Sequence, residues 1–90
     1  MPKPTEVVNL KDQELLKRLS IDPKVMLGKP VICGTRITVE YIIDRLAHGA
    51  TAADLMDEYD GLTSDDIAAC LLFAKQSLSD TDYLPLAEAS

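Results

Sequence analysis

Tryptophan is absent from this 90-residue chain, and its aromatic residues are only Phe73, Tyr41, Tyr59 and Tyr83. So small a set makes the stacking platforms that hold single-stranded nucleic acid hard to assemble, which argues against RNA binding by base stacking, and makes the core aliphatic. One histidine, His48, and two distant cysteines, Cys33 and Cys70, are too few for a zinc site or for a nucleophile with its base. No cofactor, metal site or enzymatic activity is expected. Both thiols are expected to be free and buried, as in a reducing compartment. The longest apolar run, Ile67 to Ala74, is far short of the roughly 20 residues of a membrane span. The opening MPKPTEVVNL has no signal-peptide core, so a soluble, cytoplasmic protein is expected.

Positive charge is also scarce, and unevenly placed. The formal charge is −6. Residues 1–45 hold eight Lys or Arg against six acids, a net of +2, whereas residues 46–90 hold Lys75 alone against nine acids, a net of −8. Sequence-independent attraction to phosphate must therefore come from the first half. With 47% apolar and 27% charged residues, the chain has enough apolar material for one compact domain.

Residues 1–18 read as an N-terminal arm, partly helical, and residues 79–90 as an acidic tail with isolated apolar points at Tyr83, Leu84 and Leu86. Between them, a strand is expected near Leu19–Ile21, broken by Asp22-Pro23. The segment MLGKPVICGTRITV, with Gly28, Pro30 and Gly34 among β-branched residues, reads as tight turns joining short extended pieces. Helical spacing then takes over. Val39, Ile42, Ile43, Leu46 and Ala47 mark a first helix, with Thr38 as its N-cap and Gly49 as its stop. Thr51 with Asp54, and Thr63 with Asp66, resemble capping boxes in which Asp replaces Glu. The second helix turns Ala52, Leu55, Met56 and Tyr59 inward. The third runs from about Ser64 to Leu78, with Ile67, Leu71, Ala74 and Leu78 as its expected inner face. Its stretch IAACLLFA is apolar almost all the way round, so either it is sandwiched inside the domain or a second face meets another chain. Leu71, Leu72 and Phe73 are the dimer-interface candidates.

Short helices on either side of Asp60-Gly61-Leu62 suit a helix-turn-helix. A DNA reader needs cations around its recognition helix, yet no Lys or Arg lies between Leu46 and Ala74 and six acids do. DNA binding is therefore disfavoured by the acidic third helix. The better functional candidates are Lys29 and Arg36 in GKPVICGTRI. This segment does not have the spacing of a phosphate loop. Arg36 sits between residues that should be packed, so its guanidinium either pairs, with Asp22 or Asp44, or meets a partner's carboxylate.

These motifs carry a resemblance. Ile21-Asp22-Pro23, Gly28-Lys29-Pro30-Val31-Ile32, Gly34-Thr35-Arg36-Ile37, Leu46-Ala47-His48-Gly49, Asp60-Gly61-Leu62-Thr63 and Asp66-Ile67-Ala68-Ala69 resemble domain-of-unknown-function family 433, related to VapB-type antitoxins, over about residues 19–78. The resemblance implies a mainly α fold: a small homeodomain-like, winged helix-turn-helix with a three-helix core and a short N-terminal β element, often dimeric. It implies an antitoxin of a type II toxin-antitoxin system, neutralising a small PIN-like ribonuclease toxin, with partner-binding candidates Lys29, Arg36, Tyr83, Leu84 and Leu86. The alternative is a dimeric DNA-binding regulator of its own operon, using Lys24, Lys29 and Arg36.

Overall fold

The structure, a computed structural model, describes residues 10–79. Four helices and one small sheet follow in the order α1 (Leu10–Leu16), β1 (Leu19–Ser20), β2 (Val31–Ile32), α2 (Val39–Ala47), α3 (Ala52–Glu58) and α4 (Ser64–Ser79). The fold is mainly α, with the expected short N-terminal β element beside the core formed by α2, α3 and α4. The α1 helix is added to that core and packs on α4.

Local chemistry sets the helix starts. Thr38 Oγ1 accepts from the Tyr41 N–H at 2.9 Å. Thr51 and Asp54 bond reciprocally at 2.9 and 3.0 Å, and Thr63 and Asp66 do so at 3.0 and 3.1 Å. Each pair satisfies two amide groups that a helix start leaves without partners. The end of α2 is equally defined: the Gly49 N–H donates to Leu46 O and the Ala50 N–H to Arg45 O. That Schellman arrangement requires a left-handed residue, and Gly49 has φ +98°.

The GKPVICGTRI segment folds as a tight hairpin. β1 pairs antiparallel with β2, Leu19 opposite Ile32 and Ser20 opposite Val31. Val31 bridges onward to Thr38, the Ile32 N–H donates to Ile37 O, and the Val39 N–H donates to Pro30 O. Thr35 closes the turn by donating to Ile32 O at 2.7 Å and accepting from the Ile37 N–H at 3.0 Å. Gly34, with φ +78°, supplies the reversal.

Ile32, Val39, Ile42, Leu55, Leu62, Ile67 and Cys70 form the buried core. α4 is its hub, in contact with α1, α2, α3 and β1. This sandwiching accounts for an apolar circumference that a surface helix would not have. It also corrects the expected inner face of α4. Asp66, Ile67, Ala69 and Cys70 are buried, whereas Leu71 is 50% and Leu78 72% exposed, because a helix touched from two sides has no single apolar stripe to read.

Asp66 is the buried carboxylate of the domain, at 7% exposure. Besides capping α4, it accepts from Arg18 Nη1 at 3.2 Å, while Arg18 Nη2 reaches the exposed Asp65 at 3.4 Å. Asp66→Ala removes a cap and strands part of a half-buried pair, an expected loss of about 2–3 kcal/mol in urea denaturation. Asp65→Ala should cost well under about 1 kcal/mol. Equal losses would mean that burial does not govern this pair.

Candidate functional site

Four of the basic residues are already engaged in ion pairs with acids of the same chain. Lys17 holds Glu14 at 3.1 Å, Arg18 holds Asp65 and Asp66, Lys29 holds Glu40 at 2.9 Å, and Arg45 grips Glu58 with two bonds of 2.6 Å. The Lys29 hydrogen bond and charge hold the Glu40 carboxyl below its ordinary value. Lys24 is exposed, and its backbone N–H donates to Asp22 Oδ1. Arg36 is exposed and makes no ion pair among the described residues. Of the acids expected near it, Asp22 serves the turn and Asp44 lies 3.4 Å from His48 Nδ1.

Arg36 borders a groove of about 390 Å³ lined by Met26, Arg36, Ile37, Thr38, Tyr41 and Tyr59. Its hairpin side is fixed by the Thr35 bonds. Its other side is the turn Met26–Gly28, where Met26 and Leu27 take φ of 48° and 59° ahead of Gly28 at 82°. L residues adopt that region at a cost of roughly 1–2 kcal/mol each. The turn is closed by Gly28 N–H to Val25 O and Lys29 N–H to Met26 O, and it presents Leu27 to solvent at 93% exposure.

Tyr41 and Tyr59 form the floor, their hydroxyls 2.8 Å apart and their rings edge-to-face at 6.1 Å. Arg45 Nη1 donates to the Tyr41 hydroxyl at 3.0 Å. The Tyr59 hydrogen bond, then that of Arg45, lowers Tyr41 from its ordinary value, and the same hydroxyl contact raises Tyr59. Arg45 likewise lowers Glu58 from 4.5. That pair's stabilisation is therefore full above the ordinary carboxylate value and is lost as pH falls through the lower folded one. Sequence reading does not single out Tyr41, Arg45 and Glu58; the i, i+4 spacing of Tyr41 and Arg45 is the signal that points to them.

A second feature is apolar. Pro30, Val39, Ile43, Ala47, Phe73 and Ala74, with Glu40, Asp44 and Ser77 at the rim, line a trough of about 500 Å³ between α2 and α4. Pro30 and Phe73 also line an adjoining hollow with Leu16, Leu19 and Ile21. Of the dimer-interface candidates, Phe73 packs against the core, Leu72 is half-buried and Leu71 faces solvent. Tyr83, Leu84 and Leu86 lie outside the described residues.

The cysteines differ. Cys70 is buried as expected, and burial, aided by Asp66, pushes its thiol up to about 11. Cys33 is exposed, contrary to expectation, because β2 ends at Ile32 and the turn begins there. Its Sγ lies 3.4 Å from Lys17 O.

The family model described as "Protein of unknown function (DUF433)" matches residues 19–74. Among solved structures, the crystal structure of a DUF433 member protein from Anabaena variabilis is similar, with a TM-score of 0.66 and 28% identity over 89% of this chain and 93% of that one. No curated protein matches the chain.

Two outcomes follow from this geometry. In alkaline absorbance titration, Tyr41 should ionise below the ordinary phenol value of about 10 and Tyr59 above it, and Tyr41→Phe should abolish the early step; coincident midpoints would refute the asymmetry. A thiol reagent should label Cys33 rapidly in the native protein and Cys70 only on unfolding, as mass spectrometry of single Cys→Ser variants would show.

Proposed function

We propose that this chain, which belongs to the DUF433 family of proteins of unknown function, is a protein-docking module that acts as a VapB-type antitoxin on a PIN-like ribonuclease. The observation that carries this reading is the apolar trough between α2 and α4, continued by the hollow around Leu16 and Leu19 through Pro30 and Phe73. Connected apolar depressions of this kind take up apolar side chains of a protein partner.

Charge supports the choice of partner. A ribonuclease must attract RNA phosphate and so presents a basic face. This chain carries a net −6, with Glu40 and Asp44 on the trough rim, and its surface complements a basic one. The same balance weighs against the DNA-binding regulator. Of the cations expected to contact DNA, Lys29 is tied to Glu40, and Asp54, Asp57, Glu58, Asp60 and Asp65 are exposed on α3, in the turn after it and at the start of α4.

The test is to mix the full chain with the PIN-like ribonucleases of its own genome and measure RNA cleavage and complex mass. A stoichiometric complex with one of them, with cleavage reduced at least tenfold, is expected. Ala47→Arg, which puts a bulky cation at an exposed trough position, should abolish inhibition without altering the melting temperature. Failure to inhibit any of them, with salt-dependent binding to the chain's own promoter instead, would replace this reading with the regulator.

A further inference from the structure

We infer that the groove between the Met26–Gly28 turn and the Tyr41–Tyr59 pair is a binding site for a carboxylate carried on an apolar body. Of the three arginines, Arg18 and Arg45 each hold a carboxylate, whereas Arg36 makes no ion pair among the described residues. A guanidinium offers five N–H donors in a plane that matches a carboxylate with two parallel bonds.

The tyrosine pair supplies a further donor. Two phenols carry two hydroxyl protons, and one proton suffices for the 2.8 Å contact between them. Tyr41 also accepts from Arg45, so whichever hydroxyl donates to the other, one O–H has no acceptor among the described residues. No acid lines this groove. Arg36 and the spare phenol proton together favour a ligand that only accepts hydrogen bonds, and the guanidinium charge, with no acid lining the groove, favours an anion among such ligands.

The walls and the charge narrow its class. Met26 and Ile37 offer apolar surface, and the one guanidinium lining the groove, in a chain of net charge −6, suits one negative charge better than the two of a phosphate monoester. A volume of about 390 Å³ is in the range of small-molecule sites, roughly 300–1,000 Å³. The site is also held in shape beforehand. The Thr35 bonds fix the hairpin that carries Arg36, and the left-handed turn is closed by its own backbone bonds, so little ordering remains to oppose binding. Groove and trough use different residues, so this site does not depend on the ribonuclease reading. The carboxylate comes either from a free organic acid or from an acidic side chain beside an apolar one.

The test is a backbone-amide NMR titration of the full chain with hexanoate, hexanamide, inorganic phosphate and a blocked Glu-Leu dipeptide. Saturable shifts centred on Arg36, Ile37, Tyr41 and Tyr59 are expected with hexanoate or the dipeptide. Tighter binding of hexanoate assigns the site to a free acid, and tighter binding of the dipeptide assigns it to a protein side chain. Hexanamide should bind at least tenfold more weakly. Arg36→Gln, an exposed substitution that leaves the core intact, should weaken binding at least tenfold. Each single Tyr→Phe variant keeps one phenol proton and should bind within a few-fold of the parent, whereas the double variant should weaken further. The inference is overturned if neither carboxylate shifts these residues, if hexanamide or phosphate binds as tightly, or if Arg36→Gln changes nothing.

Discussion

The fold turns on one buried carboxylate. Asp66 uses one oxygen to accept the Thr63 N–H at the start of α4 and the other to accept Arg18 from the chain beside β1. Each bond alone is local housekeeping, but their union joins segments 48 residues apart. Arg18 is itself held by its backbone, since its carbonyl accepts the Cys33 N–H and anchors the end of β2. Fixing Asp66 therefore fixes β1 over α4, then the register of β2, and through the hairpin the position of Arg36. Burial makes this costly to undo, because a carboxylate left without its donors cannot turn to water.

What was legible in the sequence is what depends on neighbours three or four residues away. Thr38, the Thr51–Asp54 box and the Thr63–Asp66 box are local patterns, and all stand where spacing places them. The Arg18–Asp66 pair and the Tyr41–Tyr59 contact join distant segments, and no periodicity announces them. The left-handed Met26 and Leu27 run against the preference of L residues, so residue type points the wrong way. Leu71 was misplaced for a different reason. A helix packed on two sides buries residues by their neighbours' positions, which one chain's apolar pattern does not contain.

The packing of α4 also bears on assembly. A second copy was one explanation for a helix apolar nearly all round, and contacts of α4 with α1, β1, α2 and α3 provide part of that cover within a single chain. Apolar surface remains exposed on α4 at Leu71 and Leu78 and on the turn at Leu27, as well as in the trough beside Phe73. Charge shows the same economy. A chain of net −6 has used Lys17, Arg18, Lys29 and Arg45 on internal pairs, leaving its helical faces acidic. Long-range attraction then favours basic partners and opposes nucleic acid, while at short range Arg36 keeps one spot of the opposite preference.

The two surfaces are set by the first turns of α2. Val39, Glu40 and Ile43 face the trough, whereas Thr38 and Tyr41 face the groove, positions that helical spacing puts on opposite sides of the axis. The hairpin contributes to both in the same way, with Pro30 at the trough and Ile37 at the groove. Coupling between two such sites requires an element with two stable arrangements. This one is pinned by the Thr38 cap, the Val39–Pro30 bond and the Ile32–Ile37 bond, and moving it would break bonds that are mostly local and mutually supporting. A partner in the trough and a carboxylate in the groove would then contribute their binding energies separately, and the strained Met26–Leu27 turn serves as fixed architecture rather than as a switch.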